Sequence, residues 1–496
     1  MLSLLLLASC GLDQDSRLDA DGDGFSQADG DCDDDRADVF PGAPERCGDG
    51  VLNDCEASSH DCGLTGELPL GDADLHLESS DPWTGLELAV ELGGDWDGDG
   101  LADLALGMPG ATVDSLDQGA VYLFLGPQSG ERWVEDADAT LFLSSATSNF
   151  GLALSSGDLD GDGLDELLVN SNSWDDDDPG HAGEVFVYRG PFSGTMEATA
   201  ALTHVSPSAD SSRLGGALSV NGAGETAMLL TDSGWSLTGE SQPGSLFLFW
   251  GLTKGEVSLD DADVVFTSDE PLGQTYEDGV SADHLVDLDG DGLLDAIVQD
   301  SCGMVFQGPL AGTYAPQDAD LSVALHEDSC GRLDWLVDWD QDGRRDLVSF
   351  VTATGRGRVD VLCSSGGDQA DIAAACAHLD ATDGSTDIYQ SVALGDLDGD
   401  GVGDVAHASS REDWSSQETV AHVHYGGFEG RRGATEGDLQ IVSASLGNGG
   451  DSAPHTLRVA LGPDADGDLA GEFFVGLYWG SDTGFGDFNL FHGTGP

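Results

Sequence analysis

One nine-residue pattern, Asp-x-Asp-x-Asp-Gly-x-x-(Asp/Glu), recurs along the chain and each time runs directly into a short apolar segment. Its acids are Asp95, Asp97, Asp99 and Asp103 in the first copy, and Asp158, Asp160, Asp162 and Glu166 in the second. Further copies hold Asp287, Asp289, Asp291 and Asp295; Asp338, Asp340, Asp342 and Asp346; and Asp396, Asp398, Asp400 and Asp404. A copy with Asp464, Asp466, Asp468 and Glu472 lacks the glycine at position six, and Asn221-Gly-Ala-Gly-Glu225 stands where another copy belongs but has lost the acids. Asp158 follows Asp95 by 63 residues and Asp338 follows Asp287 by 51. Repetition at such a period marks units that bury their apolar faces only against one another.

Around each acidic loop the apolar residues recur at strand spacing, and helical periodicity is nearly absent. Ala-Asp turns open short strands at Ala73-Asp-Leu-His-Leu-Glu78, Ala137 to Leu143, Ala262 to Phe266, Ala319 to Val323 and Gly437 to Ile441, with weaker copies at Ala201 to Val205 and Ala375 to Leu379. Most units close with an alternating strand such as Gly119-Ala-Val-Tyr-Leu-Phe-Leu-Gly126 or Gly183-Glu-Val-Phe-Val-Tyr-Arg-Gly190. Bulky side chains on both faces fit strands sandwiched between packed sheets. The expectation is an all-β chain of seven four-stranded sheets arranged radially, so that faces are covered and only short edges remain. Residues 72–78 are expected to complete the sheet ending near Phe491.

Alternate carboxylates on a glycine-turned loop converge on one hard cation, and the ion turns their mutual repulsion into a clamp. Four side chains per loop are joined by the carbonyl of residue seven: Leu101, Leu164, Leu293, Arg344, Val402 or Ala470. An EF-hand needs a Glu at position twelve and flanking helices; position twelve of the first loop is Leu106, inside a strand pattern. Calcium fits better than magnesium, which demands a small octahedron. About five or six ions are expected in the repeats, with structural roles.

Charge agrees. With 94 acidic against 16 basic residues the net charge is −78, and Lys254 is the sole lysine. Nucleic-acid binding needs clustered Lys and Arg, so it is excluded as a function class, and so is docking on anionic lipid.

The phrases Asn149-Phe-Gly-Leu-Ala-Leu, Gly157-Asp-Leu-Asp-Gly-Asp-Gly and Gly183-Glu-Val-Phe-Val-Tyr resemble FG-GAP repeats, as in the propeller of integrin α chains. The resemblance covers residues 71–496. It implies a seven-bladed β-propeller with calcium at one rim.

The N-terminal region reads separately. Leu7-Ala-Ser-Cys10 ends a short apolar run and resembles the lipobox of bacterial lipoproteins, which implies a signal peptide over 1–9, lipidation of Cys10, a tether over 10–18 and attachment to the bacterial envelope. The run is too short for a spanning helix. Residues 19–63 place Asp19, Asp21 and Asp23 on a glycine-turned loop, with the carbonyl of Phe25 as a further donor, followed by Gly30-Asp-Cys-Asp-Asp34 and Gly48-Asp-Gly-Val-Leu-Asn-Asp-Cys55. This series resembles the Asp/Cys repeat named after the copper-binding surface protein MopE. Its oxygen donors suit calcium better than copper, and a solvated acidic spacer is the other reading. Beyond Cys10, eight cysteines remain, an even number suited to an oxidising compartment. Local bridges are expected within Cys32, Cys47, Cys55 and Cys62, and within Cys302, Cys330, Cys363 and Cys376; zinc is the weaker alternative because no C-x-x-C pair is present.

Catalytic signatures such as G-x-S-x-G, H-E-x-x-H or a Walker loop are missing from the sequence. His422-Val-His424, with His407 on a neighbouring strand, could hold a transition metal or be ordinary strand decoration. Trp83, Trp174 and Trp414 could stack on sugar rings or pack in the core. The functional expectation is a calcium-binding surface lipoprotein whose repeats bind a protein or glycan. The alternatives are an extracellular enzyme acting on polysaccharide or lipid, and metal capture by the N-terminal segment.

Overall fold

The computed structural model describes residues 64–79, 89–113, 116–144, 149–171, 183–206, 214–221, 226–232, 245–252, 254–267, 285–286, 293–299, 303–323, 332–335, 339, 346–351, 358–362, 376–380, 386–398, 402–411, 419–428, 430–434, 436–442, 454–462, 471–479 and 486–492, with scattered positions between 21 and 55. Regular structure among them is strand and single-turn 3-10 helix, as expected of an all-β chain. No helix among the described residues is long and apolar enough to cross a membrane.

Seven larger sheets form among these residues, beside one two-stranded ribbon. The first pairs Ala89–Gly94, Asp103–Met108, Ala120–Phe124 and Ala139–Phe142 as an antiparallel meander. The second repeats it with Phe150–Gly157, Glu166–Ser171, Glu184–Arg189 and Thr203–Ser206, and the third with Leu214–Asn221, Ala227–Asp232, Ser245–Trp250 and Val264–Thr267. The fourth to seventh begin at Leu285–Val286, Arg332–Trp335, Thr386–Gly395 and Pro454–Gly462. In the seventh, Leu75–Glu78 pairs antiparallel with Gly486–His492, so the N-terminal part of the chain supplies the fourth strand of the last sheet. Residues 72–78 were expected there.

Two details differ from the sequence reading. The sheets are not simply four-stranded: six of the seven carry a fifth strand that pairs parallel with the fourth. Gly194–Glu197 adds to Ala139–Phe142, for example, and Gly130–Trp133 to Leu75–Glu78. The phase of the repeat differs too. The Ala-Asp strand does not open a sheet but forms its fourth strand, after the acidic loop. A fifth strand, a 3-10 turn and a fourth strand follow one another in the chain, as in Gly130–Trp133, Val134–Asp136 and Ala139–Phe142. The two strands belong to neighbouring sheets, so every such passage stitches one sheet to the next.

Packing explains the apolar density of the central strands. Asp103–Met108 and Glu166–Ser171 are buried along their whole length, because both faces are covered. One core joins the first and second sheets through Ala105, Val121, Leu141, Phe150, Leu167 and Phe186. Another joins the seventh to the first through Leu75, Phe474, Leu490, Leu104, Leu106 and Phe124. Similar cores link the second to the third, the third to the fourth, the fifth to the sixth and the sixth to the seventh.

Glycine permits the closest approaches. Gly119 sits at φ +81°, and a Cβ there would lie 2.4 Å from the Phe150 carbonyl oxygen. Gly130 has a similar φ of +87° but faces open space. Gly119→Ala is expected to cost about 3–4 kcal/mol through combined strain and overlap, and Gly130→Ala only about 1 kcal/mol through strain. Denaturant midpoints of the two variants check the difference.

Candidate metal centre

The acidic loops all connect the first strand of a sheet to the second. The first loop is described throughout. Asp95 accepts from Gly98 N–H at Oδ1 (2.7 Å) and from Gly100 N–H at Oδ2 (3.0 Å), while Asp99 Oδ1 accepts from Leu101 N–H (2.9 Å). Gly98 and Gly100 adopt φ of +81° and +86°, which folds the chain back around the carboxylates. Ligand oxygens of Asp95, Asp97 and Asp99 all lie within 4.8 Å of one another. The same holds for Asp158, Asp160 and Glu166, and for Asp396, Asp398 and Asp404. That spacing matches what one hard cation gathers.

Position nine plays a second part that its acidity alone does not reveal. Asp103 is buried, and its Oδ2 accepts from Trp96 N–H (2.9 Å) while Oδ1 accepts from Gly126 N–H (2.7 Å). Asp404 binds Leu397 N–H (2.6 Å) and Gly426 N–H (2.9 Å) in the same manner. Glu166 takes Leu159 N–H, Asp346 takes Trp339 N–H, and Asp295 takes Gly308 N–H. This acid ties the loop to the end of the third strand. Burial pushes the Asp103 carboxyl up to about 6, against the pull of its two N–H donors, and the Glu166 carboxyl up to about 7.

Adjacent loops also touch. Asp95 N–H donates to Asp165 Oδ2 (2.9 Å) and Asp165 N–H to the Asp95 carbonyl (3.2 Å), joining the first loop to the second. Gly471 N–H donates to the Leu397 carbonyl (3.0 Å) and joins the last loop to the one before it. In the second loop an internal cation intrudes: Arg189 pairs with Asp160 (3.0 Å) and Asp162 and lies 3.9 Å from Glu166, and Lys254 stands 3.6 Å from Asp160.

Of the other expected ligands, Asp287, Asp289, Asp291, Asp338, Asp340, Asp342, Arg344, Asp400, Asp464, Asp466, Asp468 and Ala470 lie outside the described residues, as do Asp19 and Asp23. So do Cys10, Cys47, Cys62, Cys302, Cys330, Cys363, Trp83, Trp174 and Trp414. Cys32 and Cys55 form a disulfide, a local bridge within the first group. Cys376 is disulfide-bonded to a cysteine outside the described residues.

Two sets of residues escaped the sequence reading. Position two of the loop is a buried apolar anchor, occupied by Trp96, Leu159, Trp339 and Leu397; a recurring Trp or Leu between two acids is the signal. The aspartate of the Ala-Asp turn clamps the end of the third strand. Asp263 Oδ2 accepts from Trp250 N–H, Asp320 from Gln307, Asp438 from Tyr425 and Asp74 from His492. His407, His422 and His424 gather on one face of the sixth sheet, all buried. Burial lowers His407 to about 4 and holds His424 well below the ordinary imidazole range.

Residues 150–188 match the FG-GAP repeat. In the structure they are the first three strands of the second sheet with the acidic loop between the first two. Rat phosphatidylinositol-glycan-specific phospholipase D is 34% identical over 110 residues, 21% of this chain and 13% of that protein. Human integrin alpha-X is 39% identical over 104 residues, 20% of this chain and 9% of its own length. Mouse integrin alpha-M is 35% identical over 100 residues, 20% of this chain and 8% of its own length. The matches thus span a small part of each relative. Among solved structures, that of the exotype rhamnogalacturonan lyase YesX aligns with a TM-score of 0.38 at 12% identity, covering 83% of this chain and 72% of that one.

Proposed function

We propose, from the FG-GAP repeat at residues 150–188, that the seven sheets are the blades of one closed propeller, stiffened by calcium and presenting its loops to a protein or glycan ligand. The carrying observation is the contact between successive acidic loops. The bonds of Asp95 with Asp165, and of Gly471 with Leu397, bring the acidic loops of neighbouring sheets into contact. So much negative charge in one place is sustained by divalent ions, and about five or six propeller sites follow from the loop count.

In this reading the resemblance of Leu7-Ala-Ser-Cys10 to a lipobox means export and a lipid anchor on the cell envelope, a location supported by the Cys32–Cys55 disulfide, which suits an oxidising compartment. The same reading takes residues 19–63, from their Asp/Cys pattern, as a metal-binding segment that binds one more calcium. A recognition module accounts for the lack of a catalytic constellation in the sequence.

Screening the full chain on glycan and protein arrays with 5 mM calcium, and again with excess chelator, tests the reading. Ligands that bind with calcium and are released by chelator are expected. If the chain instead turned over acidic polysaccharides to unsaturated products, the binding-only reading would fall.

A further inference from the structure

The sixth sheet carries three buried histidines that the acidic loops do not use. His422 and His424 lie two residues apart on the third strand, Thr419–His424, so their side chains share one face. His407, on the second strand, pairs directly with His422 and shares that face as well. All three are almost wholly buried. Buried imidazole is uncommon decoration: each ring brings two polar nitrogens into a place where they must find partners.

The polar atoms here are arranged around a point. His407 Nε2 lies 3.2 Å from His424 Nε2, and the Ala434 carbonyl oxygen lies 3.1 Å from the first and 3.3 Å from the second. These three atoms form a nearly equilateral triangle. A tetrahedral ion with bonds of about 2.0–2.1 Å sets its donors about 3.3–3.4 Å apart, so the triangle has the dimensions of one face of such a site. The His422 ring stacks on His407, with centroids 5.1 Å apart, which puts a third imidazole beside this triangle. Two imidazoles at i and i+2 on one strand, with a third across the ladder, is also how a sheet most directly presents three nitrogens to one ion.

We infer that His407, His422 and His424, with the Ala434 carbonyl, form a site for a divalent transition ion of the zinc class, separate from the oxygen-lined loops. The donor chemistry divides the metals: imidazole favours zinc, nickel or copper, and carboxylate rims favour calcium. Because all three histidines are buried away from solvent, the ion is structural. It pins the second strand of the sheet to the third and both to the turn at Ala434.

The test is metal content of the full chain, produced with zinc in the medium and dialysed against 5 mM calcium so that the acidic loops are filled. The wild type is expected to retain one zinc per chain more than His407→Phe or His424→Gln, and cobalt in place of zinc should give the visible absorption of a tetrahedral ion. The N-terminal segment, with His60, is common to all three proteins and drops out of the comparison. Circular dichroism in calcium shows which variant folds; the more conservative His424→Gln serves where His407→Phe does not. Equal zinc in the wild type and a folded variant, or cobalt giving only the weak spectrum of an octahedral ion, overturns the assignment.

Discussion

Chelating calcium should lower the melting temperature by about 5–10 °C, and returning 5 mM calcium should restore it. The size follows from mass action. For sites with dissociation constants of about 10⁻⁴ to 10⁻³ M, as suits extracellular modules, 5 mM calcium stabilises the native state by about 1–2 kcal/mol per site. Five sites give about 5–10 kcal/mol. A repeat region of this length unfolds with an entropy of about 0.9 kcal/mol per kelvin, which converts that energy to the stated shift. Scanning calorimetry with and without chelator measures it. A melting temperature indifferent to calcium would mean that backbone N–H groups and Arg189 alone balance the loop carboxylates.

The calcium increment should also grow with pH. In the calcium-free native state, burial keeps protons on Asp103 up to about pH 6 and on Glu166 up to about pH 7, against ordinary values of 3.8 and 4.5. Between those limits the native state binds more protons than the unfolded chain, so its stability falls as pH rises. Calcium competes with the same protons, so it gains more at pH 8 than at pH 5. In protein free of any transition ion, His407 acts in the opposite sense: burial depresses its value, which costs stability as pH falls below about 6.5. That effect is common to the calcium-bound and calcium-free protein and cancels in the increment.

How far the sequence reveals these features depends on whether a residue's role is local. The acidic loops were legible because Asp95, Asp97 and Asp99, with Gly98 and Gly100, act within six residues of one another. The all-β class was legible from strands whose two faces are both apolar. The passage between sheets was not. Gly130–Trp133 is short and mostly exposed, and the strand it pairs with among the described residues is Leu75–Glu78, more than fifty residues away. Strand period carries no record of which neighbour a strand will choose, so the Ala-Asp strand read as an opening when it is a fourth strand. The histidine face was visible as His422-Val-His424, yet burial, not spacing, separates it from surface decoration.

Within the acidic loop, Asp99 and Asp103 look alike in sequence but should differ when removed in how far the loss depends on calcium. Asp103 is buried, and Asp103→Ala would leave the N–H groups of Trp96 and Gly126 without their acceptor. Loss of a buried charged acceptor that holds two donors costs about 3–5 kcal/mol, and this cost is expected with or without calcium, since the bonds are internal. Asp99 is exposed and accepts only a local turn bond from Leu101 N–H. With calcium chelated, Asp99→Ala should change stability by no more than about 0.5 kcal/mol. With calcium present it should remove one site's share, about 1–2 kcal/mol. Urea denaturation of both variants, each with calcium and with chelator, separates the two roles. The calcium gain should be smaller by about one site for both variants, while only Asp103→Ala also lowers the curve measured with chelator. If instead Asp103→Ala were harmless under chelation, position nine would be a ligand alone, and the bonds from Trp96 and Gly126 would add nothing to the fold.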